Sequence, residues 1–177
     1  MSRKSAGLLL FRETPAGPLG PPSPLSPLSP LSIEVLLVHP GGPYWAKKDA
    51  GAWSIPKGEF SDDEDPLAAA TREFQEEMGH AVVGSFLALE PLKQPSGKQV
   101  FAWAVCADFD PSALKSNMFS IEWPPKSGLQ QQFPEVDRAA WFDIDAARQK
   151  ILKGQAPFLE QLLTKLGDTG LPSRRKG

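Results

Sequence analysis

Cysteine, histidine and tyrosine are nearly missing from this chain. Its one cysteine, Cys106, precludes an internal disulfide and a cysteine-built zinc site. It lies in an apolar run, residues 99–109, and is expected to be a buried thiol. Two histidines, His39 and His80, are too few for a histidine-rich metal site. A hard cation held by carboxylates is the metal option that remains. Neither sign of charge dominates, with 19 Lys and Arg against 21 Asp and Glu and a net charge of −2. That balance gives no general attraction to nucleic acid or to an acidic membrane surface. No stretch approaches the roughly 20 apolar residues of a membrane span. The opening MSRKSAGLLLF is basic and then apolar, but it breaks at Arg12-Glu13 without a small-residue cleavage site, so it reads as a first strand and not as a leader. A cytoplasmic chain with a small-molecule partner is expected.

What is present fits one domain: 177 residues, 41% of them hydrophobic. Residues 5–11 and 33–39 read as a pair of strands. Between them residues 14–32, TPAGPLGPPSPLSPLSPLS, form a Pro/Ser/Leu insert whose prolines remove backbone donors and exclude helix and sheet. A Gly-rich loop carrying Tyr44, Trp45, Lys47 and Lys48 follows, then a short extended piece at residues 53–55. Residues 81–89 and 99–109 are further strand candidates around the turn KQPSGK. In the second, Phe101, Trp103 and Val105 alternate with Ala102, Ala104 and Cys106, which suits a sheet covered on both faces. Residues 110–134 read as irregular, 139–142 as a last strand, and 145–152 and 156–166 as helices. The domain is expected to span residues 1–166, with a flexible basic tail at 167–177.

The segment GEFSDDEDPLAAATREFQEEMGH, residues 58–80, concentrates the chemistry. Asp65-Pro66 is a helix opening and Gly79 a helix stop. Leu67, Ala70, Phe74 and Met78 fall on one apolar stripe. At about 100° per residue, Glu73, Glu76 and Glu77 share a neighbouring face. Like charges at this spacing repel, and near a helix C-terminus the dipole opposes them as well. By position Arg72, adjacent to Glu73, points to a different side. A divalent cation would relieve the crowding, and Mg²⁺ takes oxygen ligands while sharing itself with phosphates.

The segment resembles the Nudix box, G-x5-E-x7-R-E-U-x-E-E-x-G-U with U a bulky aliphatic residue. Gly58, Glu64, Arg72-Glu73, Glu76-Glu77 and Gly79 fill its fixed positions. Phe74 takes the first U, and His80 stands where an aliphatic residue is usual. The resemblance implies an α/β fold, an α/β/α sandwich with a mixed central sheet and a loop-helix-loop catalytic motif. It also implies Mg²⁺- or Mn²⁺-dependent hydrolysis of a nucleoside diphosphate linked to another group. Glu73, Glu76 and Glu77 would be metal ligands, with the Gly58 carbonyl completing the shell. Arg72 would orient Glu73, and Glu64 would brace the loop or assist metal binding. Glu135, just before the last strand, is expected as an added ligand or as the general base, with Asp137 a weaker competitor.

Substrate choice lies outside the box. The flank WSIPKGE resembles the W-x-x-P-K-G of dinucleoside polyphosphate hydrolases and of some nucleoside triphosphate pyrophosphohydrolases. Lys57 is positioned for a phosphate, and Tyr44, Trp45, Lys47 and Lys48 for a base and phosphate chain. The tyrosine that dinucleoside polyphosphate enzymes carry some 17 or 18 residues after the box is replaced here by Gly97 and Lys98. Pro95 matches a mark of ADP-ribose hydrolases. Nucleoside triphosphates or dinucleoside polyphosphates are the favoured substrates. An ADP-ribose-type activity and a non-catalytic nucleotide sensor are the alternatives.

Overall fold

The computed structural model describes residues 3–15 and 31–168. Its frame is a sheet in the order β4-β6-β1-β2-β9. These strands are β1 (Lys4–Pro15), β2 (Leu31–Pro40), β4 (Phe86–Ala88), β6 (Gln99–Cys106) and β9 (Val136–Asp143). Two short strands join it, β3 (Lys57–Glu59) on β1 and β5 (Leu92–Lys93) on β6. β1 and β6 run parallel and the other pairs antiparallel, so the sheet is mixed.

Alternation along the central strands sorts the core into two layers. Leu8, Leu10 and Leu36 face helix α1 (Pro66–Met78), where Ala70, Phe74 and Met78 are buried. Leu9, Val35 and Leu37 face α2 (Ile144–Lys150) and α3 (Ala156–Asp168), meeting Ala147, Phe158, Leu159 and Leu162. β6 repeats the division, with Ala102 and Ala104 on the α3 side and Val105, Phe101 and Trp103 on the α1 side. The result is the expected α/β/α sandwich. No helix among the described residues is long and apolar enough to cross a membrane.

Four expectations change. The β1–β2 ladder runs into both ends of the Pro-rich run, with Thr14 opposite Ser32 and Pro15 opposite Leu31. A proline at the end of a ladder lacks a donor only where pairing stops. Residues 16–30 lie outside the described residues. The strand expected at 81–89 shrinks to Phe86–Ala88, because Phe86 already pairs with Val105 and β6 ends one residue later. Val83 is left largely exposed. Residues 110–134 are not wholly irregular, since β7 (Met118–Glu122) and β8 (Gln130–Pro134) form a separate hairpin. Finally, Cys106 is exposed. It closes β6 beyond the last β4 pair, where the sheet is no longer covered on that edge.

The same registers open a fork. β1 pairs with β3 at Ser5–Gly7 and with β2 only from Phe11 onward. Past that point β2 continues to Pro40 against β9. The space between β2 and β3 holds the site described next.

Candidate functional site

Helix α1 is closed at both ends by the groups its sequence supplies. The Asp65 carboxylate accepts the Ala68 N–H at 2.9 Å, and Pro66 occupies the first turn. Gly79 ends the helix at φ 78°, in the left-handed region that glycine enters without strain. A β-carbon there would also lie 2.8 Å from the Lys115 carbonyl oxygen. Residues 115–117 cap the helix, with Lys115 N–H donating to Met78 O and Asn117 N–H to Glu76 O. The Glu135 N–H then donates to Asn117 O at 2.8 Å. The loop bearing Glu135 is thereby tied to the end of α1 that bears the glutamates.

Arg72 is a hub. Its Nε and Nη2 donate to the two Glu64 oxygens at 2.8 and 3.0 Å, and its Nη1 donates to Glu73 at 2.6 Å and Glu76 at 3.2 Å. The positional expectation that Arg72 points away from the glutamates is thus overturned. The guanidinium is long enough to swing back over the next turn, and its fork geometry lets it hold three carboxylates. Glu64 keeps Arg72 charged and is itself held below the usual carboxylate range by that bond. Part of the acidic crowding is therefore answered by a cation of the chain itself.

Opposite Arg72, Glu73 packs on Gly58. A β-carbon on residue 58 would sit 1.8 Å from Glu73 Oε2. Glu77 accepts the Lys57 N–H through Oε2 at 2.9 Å. Burial pushes the Glu77 carboxyl up to about 8, against the pull of the Lys57 amine and N–H, and Glu73 and Glu135 push it further. Glu73 is raised by burial, opposed by Arg72, with Glu76 and Glu135 adding to the rise. The Lys57 amine is lowered by burial and by Lys98, while Glu77, Glu59 and Glu73 favour its charge. Lys57, Glu77 and Glu135 together line a pocket of about 220 Å³ whose other walls include Val38, Trp45 and Leu152.

Among the described residues no three carboxylate, imidazole or thiol groups stand together at metal-ligand spacing. Glu73 and Glu76 are turned to Arg72. The donor set nonetheless suits a hard divalent ion. It is oxygen only, neighbouring carboxylates add to the rise of Glu73 and Glu77, and the glycine at 58 leaves room for a carboxylate against bare backbone.

The remaining residues divide. Trp45 lines the pocket with Lys48 Nζ 4.8 Å from its ring centroid. Tyr44 is exposed on the same loop and meets Trp123 edge-on at 5.3 Å. Lys47 is exposed. Asp137 is engaged elsewhere, by His39 Nδ1 at 2.8 Å and by Arg138. His39, for which the sequence suggested no role, is fully buried. Its partner lies 98 residues away along the chain, and no local pattern marks such a pairing.

The NUDIX domain family matches residues 31–162. No curated protein sequence matches the chain. Among solved structures, a mutT/nudix family protein from Listeria innocua superposes with a TM-score of 0.60 at 12% identity, covering 94% of this chain and 95% of the other. An Ap4A hydrolase of C. elegans in a binary complex gives 0.59 at 21% identity, with 93% and 98% covered. The NUDIX domain of Shewanella oneidensis NrtR, complexed with ADP ribose, gives 0.57 at 14%, with 94% and 89% covered.

Proposed function

The chain belongs to the Nudix family of pyrophosphohydrolases, and from that premise we propose that it cleaves a phosphoanhydride bond in a nucleoside polyphosphate with Mg²⁺, or Mn²⁺ in its place. Nucleoside triphosphates and dinucleoside polyphosphates are the substrates this reading favours. The observation that carries it is the convergence of Lys57, Glu77 and Glu135 on one pocket that ends in an aromatic wall, Trp45.

Glu73, Glu76, Glu77 and the Gly58 carbonyl are the groups that would hold the ion. When bound there, a divalent ion neutralises phosphate charge and lowers the pKa of water in its shell. The chain's own residues supply the rest. The Lys57 ammonium faces the pocket and binds phosphate oxygens as a point charge. Arg72 fixes Glu73 and Glu76, and Glu64 fixes Arg72 in turn. Glu135, exposed at the pocket mouth, takes the proton of the attacking water or serves as a further ligand. Trp45 offers a face for a nucleobase. Tyr44 and Lys47 stand on the same loop, where they would meet a part of the substrate that extends out of the pocket.

A panel of nucleoside triphosphates, diadenosine tetraphosphate and ADP-ribose, each with Mg²⁺ or Mn²⁺ and with products identified by mass, tests this directly. The expected result is a nucleotide released by anhydride cleavage, with Glu76→Gln nearly inactive. Comparable turnover by both proteins would reject the metal-ligand role of Glu76.

A further inference from the structure

His39 sits directly behind the pocket. Its neighbours in β2, Val38 and Pro40, line the pocket, and alternation turns the imidazole to the other side. Asp137 is the extra residue of the bulge between the His39–Arg138 and Pro40–Val136 pairs, next to the pocket residue Val136, and Trp53 lies between the pocket residues Ala52 and Ser54. His39 touches both of the others. His39 meets Trp53 edge-on at 5.2 Å, and its Nδ1 lies 2.8 Å from the Asp137 carboxylate. Its other nitrogen, Nε2, lies 2.6 Å from the Lys48 carbonyl oxygen.

Both partners are acceptors. The two contacts tie the buried ring to both, one through each nitrogen. The bond to Lys48 reaches the pocket wall in one step, because Lys48 N–H donates to Trp45 O at 2.9 Å. The bond to Asp137 reaches Glu135 within two residues, and Gly41 N–H holds the Glu135 carbonyl from the same end of β2 at 3.0 Å.

We propose that His39 is a positioning residue for substrate binding: a buried bracket that holds the Trp45–Lys48 turn and the Glu135 loop on opposite sides of the pocket. The inference rests on the reading of that pocket as the substrate site. The bracket sets the pocket's width and touches neither substrate nor reacting atoms. Losing the Lys48 side weakens binding of the pocket-held group, and losing the Asp137 side also loosens the loop that carries Glu135.

Two variants separate the bonds. His39→Phe keeps a ring and loses both nitrogens. His39→Asn retains a donor for Asp137 and is too short to reach Lys48. Kinetics are measured on whichever nucleotide of the panel the wild type cleaves, and limited chymotrypsin digestion scores cuts after Tyr44 and Trp45. With His39→Asn KM is expected to rise about tenfold with kcat within about twofold of wild type, and with His39→Phe kcat is expected to fall as well. Cleavage in the loop is expected to quicken about tenfold or more, with other cuts unchanged. A folded His39→Asn with wild-type KM and wild-type cleavage would overturn the bracket. Failure of both variants to fold would overturn it too, by assigning His39 to the core alone. If the wild type cleaves no nucleotide, the functional reading falls, while the digestion still decides whether His39 holds the loop.

Discussion

Glu73 Oε2 occupies the space that a β-carbon on Gly58 would fill, 1.8 Å from its ideal position. The obstacle is the far end of a flexible side chain, so Gly58→Ala displaces the carboxylate and leaves the backbone where it is. The variant is expected to fold, with a stability loss of no more than about 1 kcal/mol. Turnover should fall on the order of 100-fold. Thermal melting read beside kcat separates the two effects. Gly79→Ala should behave oppositely, melting well below wild type, because its positive φ and the Lys115 backbone leave no such escape.

Arg72→Lys tests the hub. A lysine ammonium cannot reproduce the two parallel bonds to Glu64 while also reaching Glu73. Metal affinity, measured by Mg²⁺ dependence of turnover, is expected to weaken about 10–100-fold. Glu64→Gln should give a smaller change in the same direction. An unaltered Mg²⁺ dependence in Arg72→Lys would show that the orientation of Glu73 does not matter.

The raised Glu77 carboxyl makes a prediction about pH. Its pKa in the folded chain, about 8, lies above the ordinary glutamate value of 4.5. The native state therefore binds a proton that the unfolded chain has already released. Stability from this group is full below about pH 4.5 and is lost as pH rises through about 8. The melting temperature of metal-free protein should fall across that window, and Glu77→Gln should flatten the fall. Added Mg²⁺ should raise the melting temperature more at pH 8 than at pH 6, since the ion competes with that proton.

The ladder that ends at Pro15 opposite Leu31 permits a shorter connection. Replacing residues 16–30 by Asn-Gly, which suits a two-residue hairpin, is expected to leave kcat and KM within about twofold of wild type. A larger change would give the Pro-rich run a part in turnover that this account does not assign it.

What could be read from the sequence follows the range of the forces involved. Helix α1 was legible to the residue, because Asp65, Pro66 and Gly79 act on neighbours a few positions away. The two-layer core was legible in the alternation of Phe101 to Cys106. The β7–β8 hairpin was not, because Gln130, Gln131 and Gln132 are all exposed and carry no period of two. Arg72 was misplaced because angular position alone ignores the reach of a long side chain. The exposure of Cys106 depends on where β4 stops, and the His39–Asp137 pair on two strands meeting across the sheet. Neither is a local property.

On this reading the α1 glutamates and Glu135 gather a divalent ion where a polyphosphate binds. Titrating Mn²⁺ into the protein and following the free-ion signal by electron paramagnetic resonance tests it most directly, with wild type beside Glu77→Gln. The account predicts that wild type takes up Mn²⁺, that a nucleotide strengthens the uptake, and that Glu77→Gln weakens it about tenfold or more. Equal uptake by the two folded proteins would contradict it.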